Sequence, residues 1–406
     1  MSFEQVFSLT VSGVTVGMIY ALIALGYTMV YGVLEFINFA HGEVFTFGGI
    51  MAAVVLGWTG VSDAMPIWLR VVCLGGALVA AVLATVGLGL AIERLAYRPL
   101  RGRSRIIPLL AAIGVSITLQ QLMILVFGPD SIIVPPSVVP AQFVTLFGSR
   151  IRVLAFIIIG ISLLLMLGLT YIVRSTRIGK AMRATSQDIE AAQMMGIETN
   201  HVIAFTFAVG SGLAAVGGLL VTMYYGSIRF DSGYIYGLKA FTAAVLGGIG
   251  NIPGAVVGSL ILGLAETYGV GLNLGLLMWF FVAGLAAGLY FQLVRAPKRR
   301  LKHIREEDRT PAYEREIMRL YRLAPVYAVR VALAKRTDAL MAVSARHALQ
   351  LTLGNVFLAV MAIVFFLNGH AQIDPQWQNV IAFAVMMIIL LFRPSGLLGE
   401  HSQEKV

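Results

Sequence analysis

Long, predominantly apolar runs decide most of what this chain can fold into. Phe156–Val173, Ile203–Met223 and Ala348–Leu367 each contain 18 or more residues, enough to cross about 30 Å of hydrocarbon as a helix. Charged residues make up 12% of the chain, against about 25% in soluble domains. The expected fold is therefore all-α, a polytopic membrane protein in which lipid takes over the role of a soluble core. Met1 to Leu69 contains no Lys or Arg, unlike the basic start of a secretory signal, so the first span is expected to be retained.

Basic residues then report topology, because cytoplasmic loops collect Lys and Arg. Of 30 such residues, 25 fall in 94–105, 174–183, 295–346 and the tail after Arg393. The others are Arg70, Arg150, Arg152, Arg229 and Lys239. Eleven membrane segments reproduce this pattern: 6–31, 44–57, 70–92, 106–127, 152–173, 202–225, 237–249, 254–272, 274–294, 347–367 and 378–392. With the N-terminus outside, every basic cluster lands inside, and so does the C-terminus. A net charge of +10 is thus accounted for by topology and by membrane lipids as partners, with no nucleic acid.

Chemistry-bearing patterns exclude several function classes. The one cysteine, Cys73, lies in an apolar run and leaves no disulfide framework or cysteine metal site. Neither H-E-x-x-H nor G-x-S-x-G occurs, so no catalytic residue and no metal ligand is expected. No G-x-x-x-x-G-K-[ST] loop occurs either. The chain is not expected to be an enzyme, and any ATP hydrolysis falls to another chain.

Two expected spans, 44–57 and 237–249, are too short for an unbroken crossing. The first follows "INFAHGE", with Asn38, His41 and Glu43; the second opens near Lys239 and runs into "LGGIGNIPG", with Gly247, Gly248, Gly250 and Asn251. Interrupted helices in both halves of a transporter point to its substrate path, because irregular backbone at membrane depth must be buried in protein or line a watery cavity. These eight residues are the path candidates. The alternative is a packing kink, with Asn38 and His41 satisfying loose backbone groups and Glu43 capping the next helix. GxxxG spacings at Gly13/Gly17, Gly250/Gly254/Gly258, Gly271/Gly275 and Gly284/Gly288 say that helices touch.

The polar interval 174–200 holds "DIEAAQMMG". Thr185, Ser186 and Asp188 are N-cap candidates, and Gly196 is placed as a C′ stop. A helix of about two turns should form, and one so short needs a neighbour to pack against. Met194, Met195 and Ile197 offer adaptable apolar contact. Glu190-Ala191-Ala192, three residues and Gly196 resemble the EAA loop of ATP-binding-cassette importer permeases. Gly17–Glu43, Leu238–Glu266 and Ile381–Gly399 resemble the branched-chain amino acid permease family of such importers over about 1–273 and 377–400.

That resemblance implies a core permease domain at 1–273 and a bacterial inner-membrane location with a periplasmic N-terminus. It implies a second homologous permease subunit, two ATP-binding subunits that carry ATP and magnesium, and a periplasmic substrate-binding protein. The coupling residues it implies are Glu190, Ala191, Ala192, Met194, Met195 and Gly196. Urea or a short-chain amide is the alternative cargo; an ion-coupled secondary transporter and a sensor built on a permease body are the alternative functions.

Residues 274–376 depart from the family pattern: two further spans flank a basic segment, 295–346, with 14 Lys/Arg and 6 Asp/Glu. There Pro311 should open an amphipathic helix. Ile317, Leu320, Tyr321 and Ala324 form its apolar face, and Arg315, Arg319 and Arg322 its basic one. Residues 377–406 supply the last span and a cytoplasmic tail.

Overall fold

The computed structural model describes residues 2–34, 36, 38–101, 103–104, 106–139, 142–271, 274–297, 311–322, 339–367, 377–392 and 397. Most of them are helical; two short strand pairs and the connecting loops and turns make up the rest. The chain forms two compact units, Met1–Tyr268 with Gln376–Val406, and Gly269–Pro375.

In the first unit the helices are α1 (Phe3–Leu34), α2 (His41–Trp58), α3 (Ile67–Ile92), α4 (Ile106–Phe127), α5 (Val153–Ser175), α6 (Arg177–Gln187), α7 (Ile189–Met194), α8 (Thr199–Tyr225), α9 (Ser232–Gly247) and α10 (Ile252–Gly271). The remaining helices are α11 (Leu274–Tyr290), α12 (Pro311–Arg322) and α13 (Ala339–Leu367) in the second unit, then α14 (Trp377–Phe392) in the first. Ile132–Ile133 pairs antiparallel with Ser227–Ile228, and Phe143–Leu146 with Ser149–Arg152.

Each of the eleven expected stretches carries a helix, but among the described residues eight are long and apolar enough to cross a membrane. At 16 residues, α9 and α14 are about 24 Å long at 1.5 Å per residue, short of the hydrocarbon thickness. The expectation that 44–57 is too short does not hold. Its helix starts three residues earlier, at His41, and runs 18 residues, so "HGE" forms the first turn of α2.

Lipid tails are as apolar as leucine, so helices in a membrane associate through close packing and small residues. Burial shows which helices are central: in an apolar 18-residue stretch of each, 67% is buried in α2 and in α8 but 11% in α4. A Cβ added at Gly48 would meet Ala215 of α8 at 2.6 Å from its Cα, and one at Gly218 would meet Gly49 N of α2 at 2.6 Å. On the other side, Gly13 and Gly17 of α1 lie against Leu264 and Ser259 of α10, where added Cβ atoms would come within 3.0 Å and 2.9 Å of backbone. The Gly13/Gly17 spacing is therefore a backbone crossing. α1 passes through the middle of this arrangement with Leu22, Ile23, Ala24 and Leu25 fully buried.

The β-hairpin at 143–152 turns through Phe147 and Gly148, both at positive φ, the geometry of a two-residue hairpin loop. Ser149 Oγ donates to the Glu4 carbonyl at 2.7 Å, and Phe147 sets its ring edge-on to Phe3 and Phe7. The hairpin thereby holds the first turn of α1.

Within the second unit, α11 and α13 pack along one another. Ile317 and Tyr321 of α12 are fully buried, while Arg315 and Arg319 are exposed. The apolar stripe read from the sequence is satisfied by protein, since α12 packs on α13 and on the π-turn Phe291–Arg295. Leu320, Arg322 and Ala324 lie outside the described side chains. Gln292 ties the unit together: its Nε2 donates to the Tyr321 carbonyl (3.2 Å) and to Thr352 Oγ1 (3.0 Å), and Asn355 Nδ2 donates to its Oε1 (2.6 Å).

Candidate functional site

The first interruption separates α1 from α2. Asn38 is buried, and its Oδ1 accepts from Tyr97 Oη at 2.6 Å; its carbonyl accepts from the His41 amide at 3.1 Å. His41 opens α2 with its ring edge-on to Tyr27, centroids 4.9 Å apart. Its Nε2 is buried without a hydrogen-bond partner and points at Gly26, where any side chain would collide with it. Glu43 is buried and does not cap α2. Its Oε1 accepts from Ser116 Oγ of α4 at 3.5 Å, and its Oε2 has no partner. Orphaned buried polar atoms need an explanation, and here the first turn of α2 carries two, one on His41 toward α1 and one on Glu43, whose other oxygen meets α4.

The second interruption joins α9 to α10. Gly248 and Gly250 stand at φ of 102° and 89°, where an L side chain would be strained. Gly247 meets Gly254 backbone to backbone, so no Cβ fits between the helices. Asn251 caps α10, accepting from the Gly254 amide at 3.0 Å, as short polar caps do. Gly250 lies against Gly32 of α1, and Phe241 of α9 packs on Phe39 and Tyr27. The two interruptions therefore sit at the same end of α1.

Lys239 stands apart from both. Its Nζ is 2.7 Å from Glu266 Oε1, with both side chains at most 5% exposed, and Tyr20 Oη donates to Glu266 Oε2 at 2.9 Å. Lys239, one of the path candidates, is half of an ion pair that joins α9 to α10. Tyr20 extends this polar cluster to α1.

The interval 174–200 holds two helices rather than one. Thr176 caps α6, accepting from the Gly179 amide, and a threonine just before a helix is a signal that sequence alone carries. Asp188 caps α7, its Oδ1 accepting from the Ala191 amide at 2.9 Å. Gly196 takes φ of 82°, and the chain turns there as a C′ glycine allows. Ala192 is buried, whereas Met194 and Met195 are 81% and 83% exposed. Ala192 therefore anchors α7 to the body, and the two methionines face away from it.

Glu93 pairs with Arg101 rather than with its neighbour Arg94, because the π-turn at 93–97 and the 3₁₀ turn at 98–100 fold the chain back. Arg101 also donates to Asn200 Oδ1 at 2.6 Å. Burial lowers the Arg101 pKa from its ordinary value, the Glu93 carboxylate opposes that, and Arg98 adds to it.

Residues 9–287 match the model of a family described as the permease component of the branched-chain amino acid transport system. The chain belongs to that permease family. Similar proteins include the high-affinity branched-chain amino acid transport system permease protein BraD of Pseudomonas aeruginosa, 44% identical over 265 residues, which are 64% of this chain and 84% of that protein. The corresponding protein LivH of Escherichia coli is 44% identical over 259 residues, 63% of this chain and 83% of the relative. The autoinducer 2 import system permease protein LsrC of Yersinia pseudotuberculosis is more distant, at 30% over 131 residues. No solved structure matches. The family match runs past 273 into α11, further than the resemblance read from the sequence. As a member of this family the chain is a multi-pass inner-membrane transport subunit and works with partner subunits.

Proposed function

We propose that this chain is the transmembrane permease subunit of an ATP-binding-cassette importer for branched-chain amino acids. The observation that carries the reading is 44% identity across 84% of a high-affinity branched-chain amino acid permease. The 174–200 loop supports it. There a capped α7, a left-handed Gly196 and two exposed methionines make a projecting knob on a buried alanine foot.

On this reading Glu190, Ala191, Ala192, Met194, Met195 and Gly196 meet a cytoplasmic ATPase, and ATP with its magnesium is held there. Two such ATPases, a second homologous permease and a periplasmic binding protein complete the transporter. The N-terminus is periplasmic and the C-terminus cytoplasmic. A zwitterionic amino acid needs polar partners or water at membrane depth. Asn38, His41, Glu43 and the Gly247–Asn251 turn provide polar groups and glycine-rich backbone where α1, α2, α9 and α10 meet. They form the gate, and selection of cargo falls to the binding protein.

The test is uptake into proteoliposomes by this chain with its co-purified partners. Leucine uptake should require ATP, the ATPase subunits and the binding protein. Uptake by this chain alone on an ion gradient would overturn the reading, and a binding protein that takes urea instead of leucine would change the cargo.

A further inference from the structure

Of the five basic residues that fall outside the basic clusters, three are matched by an acid of the chain itself: Arg70 by Asp63 at 3.2 Å, Lys239 by Glu266 at 2.7 Å, and Arg229 by Asp231. The other two, Arg150 and Arg152, are exposed, and among the described residues neither makes an ion pair or a hydrogen bond. The electrostatic neighbour of Arg152 is a phenol, Tyr224. Arginines away from the basic loops run against the trend that sets topology, so an unmatched pair there is the exception to explain.

The β-hairpin fixes where the two point. Along the second strand Ser149 and Ile151 are buried while Arg150 and Arg152 are exposed, the alternation of a pleat. Register sets Thr145 opposite Arg150 and Phe143 opposite Arg152, so all four share the outer face. The two arginine stems leave the strand about 7 Å apart. Both heads can therefore reach one phosphate, which a guanidinium holds through two parallel N–H donors.

The height of the hairpin decides what that face meets. Arg152 directly precedes Val153, the first residue of α5, and Ser149 is bonded to Glu4 in the first turn of α1. The hairpin thus stands at the ends of two spans, at headgroup level. Beside it Phe3, Phe143 and Phe147 are 68%, 56% and 69% exposed. Aromatic rings collect at the membrane interface, and arginine lays an apolar stem on the same boundary while its head stays among polar groups. An acidic protein would have to bring an apolar surface as well; a bilayer supplies both.

We propose that the 143–152 hairpin is a binding site for the headgroup of an anionic phospholipid. Arg150 and Arg152 clamp the phosphate, Thr145 donates its hydroxyl, and the phenylalanines enter the acyl boundary. The bound lipid pins the start of α1, whose far end carries the first interruption, and the start of α5, whose far end leads into the coupling loop. Which leaflet supplies the lipid rests on the proposed function, which makes this side periplasmic; the charge pattern does not.

The experiment places the full chain in nanodiscs of phosphatidylglycerol and phosphatidylcholine and counts retained lipid by native mass spectrometry. Arg150→Gln combined with Arg152→Gln should hold one phosphatidylglycerol fewer than the wild type. Arg229→Gln, whose arginine is paired with Asp231, should hold as many as the wild type. The basic segment 295–346 contributes equally to all three, and unchanged melting temperatures in detergent check folding. Hydrogen exchange over 143–152 should be slower in phosphatidylglycerol than in phosphatidylcholine. The fraction of phosphatidylglycerol needed for that protection should rise about tenfold or more in the double variant, the scale of attraction of two arginines to an anionic surface. Arg150→Lys with Arg152→Lys, which keeps the charge but not the fork, should fall between.

Equal phosphatidylglycerol retention by the wild type and the double variant would overturn the proposal, as would hairpin exchange indifferent to lipid. Displacement of the lipid by inorganic phosphate would overturn it in favour of a free-anion site. A double variant that keeps its lipid but loses affinity for the substrate-binding protein would make the face a protein dock instead. Failure of ATP-driven leucine uptake by the complete transporter, with the lipid retained as expected, would sink the proposed function and leave this site standing.

Discussion

Lys239 Nζ and Glu266 Oε1 lie 2.7 Å apart in the buried part of the bundle, and Tyr20 Oη holds the other carboxylate oxygen at 2.9 Å. Three helices, α1, α9 and α10, thus share one polar knot. Charges inside a membrane protein are costly unless paired, so the knot is stable only as a whole. Removing one partner of a buried pair typically costs about 3–5 kcal/mol, because the other charge is stranded, whereas replacing both with apolar residues is often neutral. Lys239→Met and Glu266→Leu should each cut the yield of folded protein sharply. The double variant should recover most of it. Thermal unfolding in detergent measures the cycle, and additive losses in the double variant would show that the pair is not coupled.

A second prediction concerns Gly26 and His41. A Cβ at Gly26 would strike the His41 ring, and overpacking of this kind costs about 1–3 kcal/mol. Gly26→Ala should lower stability or transport by displacing the first turn of α2. Adding His41→Ala to it should restore packing, though not the polar atom. If Gly26→Ala behaves as the wild type, the ring moves aside without consequence and His41 has no fixed place in the gate.

The sequence made the membrane class, the stretches that carry helices and the coupling-loop cap legible, because they depend on local chemistry: apolar length, basic loops, Asp188 before α7 and Gly196 after it. It did not reveal that Lys239 meets Glu266, since those residues are 27 apart and belong to different helices. The start of α2 is hidden from the sequence for a related reason. His41 and Glu43 look like loop residues by polarity, yet tertiary neighbours, the Tyr27 ring and Ser116, bury them. The α12 stripe showed the converse: its periodicity was plain, but what covers Ile317 and Tyr321 was not.

The second unit yields its own prediction. Gln292 is 5% exposed and holds α12 and α13 through three hydrogen bonds. Gln292→Leu would strand the Asn355 amide, at a cost of about 1–3 kcal/mol for an unsatisfied buried group. The variant should raise proteolysis within 295–346. Limited trypsin digestion reads this directly, since that segment holds 14 Lys/Arg. An unchanged digestion pattern would mean that α12 is held by Ile317 and Tyr321 alone.

The last prediction separates the coupling knob from its foundation. Met194, the last residue of α7, and Met195, which follows it, are exposed, so Met194→Ala and Met195→Ala should leave folding untouched and remove contact area that only a partner would use. Asp188→Ala acts differently: it removes the cap of a six-residue helix, worth about 1 kcal/mol, and frays the knob itself. If the loop transmits ATP-driven movement, the methionine pair changed to alanine should keep the chain's melting temperature but lower leucine uptake per ATP hydrolysed. Asp188→Ala should lower uptake too, with faster hydrogen exchange confined to 189–196. Cysteine at Met194 should cross-link to an ATPase subunit in native membranes. A cysteine there that reacts only with a membrane-impermeant reagent added from the periplasmic side would place the loop on the wrong face, and the importer reading would fall with it.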